Sequence, residues 1–475
     1  MRTLHWFRND LRITDNTALY HASHQAREGC LAVYIITPKT WIEHNVAACR
    51  VDFILHGLRQ LKVGLNKFNI PFLILNAPSF SDIPQLLLKI CEQYQIEVVH
   101  FNQQYEVDEI ACDKTVAALL SGSQIVIRAH HDQTIIAPQV IRTQKQEAFT
   151  IFTPFKKAWI KHYQEHPVTL LPQPKRQSKP IILIEKLEVL SHVQGFDSLI
   201  DPELWPAGEQ AAMERLVYFT DHILVHYKEW RDFPAIDGTS RLSPYLACGM
   251  ISARQCLQAA LVFNNGLLDQ GHEGAATWIS ELIWREFYKT ILVDFPRVCR
   301  YRPFKLNTEK LIWDDRPDLL DAWQTGQTGF PLIDAAMRQL QQTGWMHNRL
   351  RMVVAMFFTK QLWLDWRLGE QFFMQHLIDG DLAANNGGWQ WCASTGHDAA
   401  PYFRIFNPIT QSQRFDSEGI FIRHYCPELR DLNDHEIHNP YASGDLFLNF
   451  SEYPRPIVDY KSTRARAIAA FKALG

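Results

Sequence analysis

Five short apolar runs, separated by stretches of helical period, fill the first 130 residues and constrain this chain more than any other feature. "TLHWF" (3–7), "CLAVYII" (30–36), "PFLIL" (71–75), "VVHF" (98–101) and "IVIRA" (125–129) read as buried strands. Residues 51–68, 83–94 and 107–120 repeat apolar positions at helical spacing. Alternation of this kind implies a parallel sheet covered on both faces, so residues 1–130 are expected to form a doubly wound α/β domain. No GxGxxG and no GxxxxGK[ST] follows the first run, so the usual dinucleotide and P-loop readings lose their main support.

Residues 131–205 differ. Pro167, Pro172, Pro174 and Pro180 sit among polar residues, which reads as a long connector over the surface with a short helix at 152–161. From 206 onward helical periodicity dominates, most clearly at 277–292, 330–344 and 348–366. The expected architecture is an α/β domain (1–130), an interdomain connector (131–205) and an all-α domain (206–475), in keeping with the 475-residue length.

Lys and Arg number 48 against 51 Asp and Glu, and the net charge of −3 gives no global nucleic-acid signal; DNA binding must rest on local patches. Nine cysteines without a CxxC pair favour neither a metal site nor a disulfide framework, and fit a reducing compartment. The opening "MRTLHWFRNDLR" has early charge and no long apolar stretch, so neither a signal peptide nor a membrane span is expected, and the chain is read as cytoplasmic.

Three segments combine polar chemistry with aromatic surface. "DGDLAANNGGWQW" (379–391) sets two acids and two amides beside two tryptophans. In 277–292, Trp278, Glu281, Arg285 and Tyr288 share one helical face, with Trp284 bordering it. "DGTSRLSPYLACG" (237–249) offers backbone N–H groups, hydroxyls and a guanidinium at a loop-to-helix junction, which suits a phosphate. Basic runs at 285–302 (with Lys289 and Arg297) and 338–351 (with Arg338), mixed with aromatics, can bind phosphates and stack bases.

Together these strings resemble the DNA photolyase/cryptochrome family, from "HWFRNDLRITDN" (5–16) through "RDFPAIDGTSRLSPYLACG" and "WISELIWREFY" to "GWMHNRLRM" and "IDGDLAANNGGWQWCASTGHDAAPYFRIFNP". Within it, "GWMHNRLRM" and "NNGGWQW" are similar to the class I cyclobutane pyrimidine dimer photolyases. A 6-4 photolyase would be expected to carry a second histidine in the 347–351 region, where His347 is followed by Asn348.

The resemblance implies a carbon–carbon lyase whose all-α domain holds FAD, reduced to FADH⁻, which gives an electron to the flipped-out dimer under blue light. It implies that Tyr227 and Thr239, Ser240, Arg241, Leu242 and Ser243 hold the FAD phosphate and ribityl region. Trp278, Arg285 and Asn348 would line the cofactor pocket, with Asp379, Gly380 and Asp381 along the ring, Arg351 pairing with Asp379, and Asn385 facing flavin N5. Trp389, Trp366 and Trp313 would carry electrons between surface and flavin. Glu281 would hydrogen-bond the dimer, Trp284 and Trp391 stack against it, Asn348, Arg349 and Met352 complete its pocket, and Arg231 contact phosphate. The implied partner is UV-damaged DNA, bound by a monomer with no membrane contact.

The same resemblance implies a 5,10-methenyltetrahydrofolate antenna held by His44, Asp108, Glu109, Cys299 and Arg300. Asp108 stands where Asn is typical and Arg300 where Lys is typical, which sets a flavin-type or empty antenna site as the rival. Two other functions compete with repair. A cryptochrome-type blue-light receptor would share the fold, but Asn385 is the repair-type residue and no long tail follows the last helical run. A DNA-binding module with a metabolic α/β domain would carry no yellow cofactor.

Overall fold

The computed structural model describes residues 1–182, 190–442 and 453–474. Backbone packing divides the chain into two compact units. The first comprises residues 1–225, 240–296 and 378–381; the second comprises 226–239, 297–377 and 382–475. This division cuts through the helical stretch from 206 onward and sets 131–205 in the first unit.

The first unit is built on a five-stranded parallel sheet: β1 (Arg2–Phe7), β2 (Gly29–Ile36), β3 (Phe72–Asn76), β4 (Val98–Asn102) and β5 (Val126–His130). The order is β3-β2-β1-β4-β5, with Leu4 opposite both Leu31 and Val99. Every residue of β2 is buried, as a strand covered on both faces requires, whereas the edge strand β5 is largely exposed. Helices Ala48–Asn66, Ile83–Tyr94 and Val107–Gly122 connect the strands. Leu87, Ile90, Val116 and Leu120 from the last two pack on Leu4, Val33 and Val99. The strand order reverses between β1 and β4, so the loops beyond their carboxyl ends form the switch point at which doubly wound sheets place ligands.

The string "HWFRNDLRITDN" supplies the loop after β1, and its charges serve the fold. Asp15 accepts Arg254 Nε at 2.8 Å and Ser252 Oγ at 2.5 Å. Asp132 takes Arg12 at 2.6 Å and Arg254 at 2.7 Å. Burial would raise the Asp132 carboxyl, but Arg12 and Arg254 together hold it well below its ordinary range. All four charged side chains are nearly inaccessible, so each charge depends on its partners; deleting one would cost about 3–5 kcal/mol.

Helix Phe152–Glu165 runs four residues past the expected short helix, and no strand forms elsewhere in the described part of 131–205. The first unit also contains helices Ala253–Phe263 and Glu273–Asp294. Ser252 opens the former with a capping box, its hydroxyl accepting Gln255 N while the Gln255 side chain accepts Ser252 N.

The second unit is helical around a large aromatic core, with a smaller cluster of Leu311, Trp363, Ile405, Ala467 and Phe471 beside it. Its main helices are Pro331–Thr343, Asn348–Lys360, Trp366–His376, Leu382–Ala393 and Tyr460–Lys472. The single helix expected over 348–366 is two. The first ends at Lys360, Trp363 takes φ +57° in the gap, and the Asp365 side chain accepts Arg367 N to start the second. Among the described residues, no helix is long and apolar enough to cross a membrane.

Candidate functional site

In the first unit the functional residues gather on helix Glu273–Asp294, on the strip 378–381 and at the carboxyl ends of the strands. Trp278 is buried, its ring 4.7 Å from that of Phe219. Glu281, Trp284, Arg285 and Tyr288 are half-buried. Trp284 lies flat against Phe152 with ring centroids 3.7 Å apart and planes 10° apart, so one face of the indole is closed by the chain itself. Arg285 donates to the Gln133 carbonyl at 2.5 Å. The buried acid of this helix is Glu286, not Glu281. Glu286 accepts from Ile135 N, from Ile136 N at 3.2 Å and from Trp159 Nε1 at 2.7 Å. Burial raises it to about 7 against those donors. It ties the segment after β5 to the helix and stiffens the surface that carries Glu281.

The strip 378–381 is held by two cations. Arg50 donates to the Gly380 carbonyl. Lys289, 2% exposed, sits 2.7 Å from the Asp381 carboxylate and 3.4 Å from Glu106. Lys289, itself buried, thus neutralises two partly buried acids rather than meeting phosphate, which corrects the expectation drawn from the basic run 285–302. Asp379 is also buried, at 7% exposed. The strip therefore presents a buried carboxylate and a partly buried one whose charge a lysine balances, with the Gly380 peptide fixed from behind.

Residues 239–243 straddle the two units. In the second, Gly238 is required because a Cβ there would meet the Trp230 carbonyl at 2.8 Å, and Thr239 follows it. In the first, Arg215 Nε donates to the Ser240 carbonyl at 2.8 Å and Arg241 adopts φ +51°. Leu242 is buried and Ser243 opens helix Ser243–Cys248.

Beyond the carboxyl ends of β2 and β4, His44 lies between two acids: Nε2 is 3.2 Å from Asp108 and Nδ1 3.6 Å from Glu109. The His44 ring meets Phe80 edge-on at 5.7 Å. Burial first, then the neighbouring Glu106, raises Glu109 to about 8, and its Oε2 has no hydrogen-bond partner among the described residues. These three expected antenna residues come together. Cys299 and Arg300 belong to the second unit, in a 3-10 turn over Pro296–Arg300 whose first residue closes the first unit.

In the second unit, helix Leu382–Ala393 carries the amides and tryptophans. Asn385 Nδ2 donates to the Glu370 carbonyl at 3.0 Å, and Asn386 Nδ2 to the Glu370 carboxylate at 3.0 Å. Burial raises Glu370 to about 7. Trp389 is 2% exposed and Trp391 half-buried, as positions two apart on a helix should be. Trp389 packs edge-on against Phe373, Phe358 and Trp323 at 5.1, 5.6 and 6.0 Å. Trp366, 1% exposed, belongs to the same cluster, and Trp313 and Met352 pack against it. The three tryptophans expected to relay electrons therefore share one core. Trp389 Nε1 has no acceptor among the described residues.

The remaining candidates in this unit take partners of their own. Arg231 lies 5.4 Å over the Tyr227 ring. Arg349 bridges Asp232 at 2.9 Å and covers Phe415 at 4.5 Å, so its guanidinium is already engaged. Arg351 Nε donates to the Met346 carbonyl at 2.8 Å. Asn348 is exposed at the start of its helix. Arg338, from the basic run 338–351, is spent on Glu428 at 2.8 Å and on internal carbonyls, which removes it from any phosphate surface. Sequence reasoning did not single out Glu286, Glu370, Trp323 or Trp363. Each is marked by burial and by a partner distant in sequence, neither of which shows in local spacing.

A family model described as the FAD binding domain of DNA photolyase matches residues 278–473, and one described as DNA photolyase matches residues 3–175. The deoxyribodipyrimidine photo-lyase of Escherichia coli is 43% identical over 469 residues, covering 98% of this chain and 98% of that one. Among solved structures, a class III photolyase from Agrobacterium tumefaciens is similar with a TM-score of 0.86 at 31% identity, covering 100% and 97% of the two chains. A Synechocystis cryptochrome is similar with a TM-score of 0.87 at 28% identity, covering 99% of each.

Proposed function

We infer, from the premise that this chain belongs to the DNA photolyase family, that it is a lyase that uses light to split cyclobutane pyrimidine dimers in DNA. The observation that carries the reading is the strip 379–381, whose acceptors are fixed by Arg50 and charge-balanced by Lys289. A flavin's N–H edge and ribityl hydroxyls need acceptors of this kind, and burying them without a cation nearby would be costly. The residues present therefore fit FAD. When bound, reduced and excited by light, FAD supplies the electron that opens the dimer; the protein binds, orients and excludes water.

Asp379, Gly380 and Asp381 serve as the acceptor edge. Asn385 commits one amide hydrogen to the Glu370 carbonyl, which orients its oxygen for a donor at flavin N5. Tyr227, residues 239–243, Trp278, Arg285, Asn348 and Arg351 complete the cofactor's surroundings. The unpartnered indole N–H of Trp389 suits a ring that passes an electron and keeps its proton, since no acceptor waits to take it. Trp366 and Trp313 extend that path through the same core.

A dimer inside a duplex must leave the stack, at a cost of a few kcal/mol that is smaller at a damaged site. Trp284 offers it a single face, because Phe152 occupies the other. Trp391 offers a second, and stacking at roughly 1–3 kcal/mol per base offsets the flip. Glu281 hydrogen-bonds the dimer's polar edge, Asn348, Arg349 and Met352 line its pocket, and Arg231 meets phosphate. His44, Asp108 and Glu109 hold a folate antenna: Glu109, titrating near 8, stays protonated at neutral pH and can donate to a pterin. We place the protein, as a monomer, in a reducing cytoplasm; no disulfide joins its nine cysteines among the described residues.

The test is loss of thymine dimers from irradiated oligonucleotides under near-UV and blue light, with a dark control. Light-dependent loss is expected. Equal persistence in light and dark, with flavin bound and reduced, would sink the repair reading and favour the photoreceptor.

A further inference from the structure

A pocket of about 290 Å³ in the second unit is lined by Lys305, Ser394, Tyr402, Phe471 and Lys472 among others. Its size is at the low end for a small-molecule site. Three lysine side chains surround it, and the two on its wall carry its positive charge. Lys305 and Lys472 are exposed on its wall, and neither forms an ion pair among the described residues; Asp398 is the acid nearest in effect to Lys305. Lys360 lies wholly buried behind it, donating to Ser394 Oγ at 2.9 Å and the Ala393 carbonyl at 3.0 Å, and resting 3.6 Å from the Phe471 ring. Aromatic rings lead from the pocket to Trp313. Tyr402 stacks on Phe471 at 5.8 Å, Phe471 meets Trp363 edge-on at 5.9 Å, and Trp363 lies 4.9 Å from Trp313.

We propose that this pocket docks a small planar anion able to give up one electron, of the enediolate class, and that Trp363 passes that electron to Trp313. The proposal rests on the reading of Trp313 as the outer member of the tryptophan chain. Once Trp313 has lost an electron inward it is a radical cation. The docked monoanion gives one electron through Trp363, becomes its own radical, releases its proton to water and leaves. Trp313 returns to the neutral closed-shell indole, and no bond of the protein forms or breaks. The lysines select charge, the pocket's size excludes large donors, and the ring contacts place the donor against the relay rather than at a random point on the surface.

The probe is ascorbate, with dithiothreitol as a neutral reductant. In the dark, titration of the holoenzyme followed by isothermal calorimetry should show saturable ascorbate binding, weakened at least tenfold in the Lys305→Glu/Lys472→Glu variant. After a light flash, decay of the tryptophan radical should rise with ascorbate along a hyperbola in the native chain. It should become linear and slower in the charge-reversed variant, while the dithiothreitol rate stays the same. Trp363→Leu should keep ascorbate binding and slow the ascorbate-driven decay about tenfold. Equal ascorbate binding by native and charge-reversed chains, or a linear decay unaffected by either variant, overturns the proposal. Saturable dark binding with no tryptophan radical after the flash would instead overturn the tryptophan-chain reading, and the delivery step with it.

Discussion

Lys289 holds its ammonium 2.7 Å from the Asp381 carboxylate and 3.4 Å from that of Glu106, at a site 2% exposed. Burial alone would lower the Lys289 titration, yet Asp381 and Glu106 raise it, so the lysine stays charged. Removing it would leave carboxylates without their cation. Lys289→Met is expected to destabilise the protein by about 3–5 kcal/mol and to reduce flavin retained on purification. Thermal unfolding and the flavin-to-protein absorbance ratio check both; full flavin content at unchanged stability would refute the charge-balancing role.

Glu370 is buried beneath Asn385 and Asn386, and burial raises it to about 7 from an unfolded value near 4.5. An acid raised on folding contributes full stability below its unfolded pKa and loses it as pH rises through the folded one. The window is therefore pH 4.5 to 7. Glu370→Gln keeps an acceptor for Asn386 and removes the titration. It should gain up to about 3 kcal/mol over the native chain at pH 8 and little at pH 4.5. Denaturant melts at the two pH values decide; a variant equally destabilised at both would mean that the carboxylate is needed ionised.

On the sheet, His21, His130 and His100 form a stacked column, with ring centroids 4.8 and 5.3 Å apart and planes within 9°. His100 Nδ1 and His130 Nε2 are 3.1 Å apart, a hydrogen bond only if one ring is neutral and accepts. Burial lowers His100 to about 3 and His130 to about 4. A base lowered on folding contributes full stability above its unfolded pKa of about 6.5, and that stability is lost as pH falls toward 4. The native melting temperature should drop between pH 7 and 5 more steeply than that of a His100→Asn/His130→Asn variant. Parallel slopes would show that the column remains neutral in both states or is not coupled to folding.

The sheet was legible because its signal is local. The apolar runs at 30–36 and 98–101 match β2 and β4 to within a residue, since a strand buried on both faces is apolar along its whole length. The second unit's helices were legible for the same reason, apart from the break at Trp363, where Asp365 was a visible cap within an otherwise helical pattern. What stayed hidden was the pairing of buried charges. Arg254 and Asp15 are 239 positions apart, Arg12 and Asp132 are 120 apart, and nothing in the spacing of either joins them. Lys289 and Arg338 looked like surface cations because composition reports charge and not burial.

Trp389 fits only because residue 369 has no side chain: a Cβ there would overlap the outer atoms of the indole ring. Gly369→Ala must displace the tryptophan or the helix Trp366–His376, at a cost of about 1–3 kcal/mol. It should slow photoreduction of oxidised flavin several-fold. Trp389→Phe should abolish photoreduction yet leave repair intact once the flavin is reduced chemically. Loss of both activities in Trp389→Phe would place the residue in repair itself and contradict the division of labour.

Asp108 sets a negative charge where the antenna must accept an acidic folate. His44 Nε2 faces it at 3.2 Å, and Asp108 is one of the charges that lift Glu109, after burial and Glu106. In Asp108→Asn the repulsion disappears, and the amide oxygen can still take the His44 hydrogen. Asp108 is largely exposed, so the gain is modest, under about 1 kcal/mol, or a few-fold tighter binding of 5,10-methenyltetrahydrofolate. Glu109 should also titrate lower in the variant while remaining above its ordinary value, because burial and Glu106 persist. Folate binding should therefore begin to weaken at a lower pH than in the native chain. Near-UV absorbance titrations across pH 6 to 9 read both effects. If the variant bound folate less tightly at every pH, Asp108 would have to be a direct ligand, and the charge that looks like an obstacle would be part of the grip.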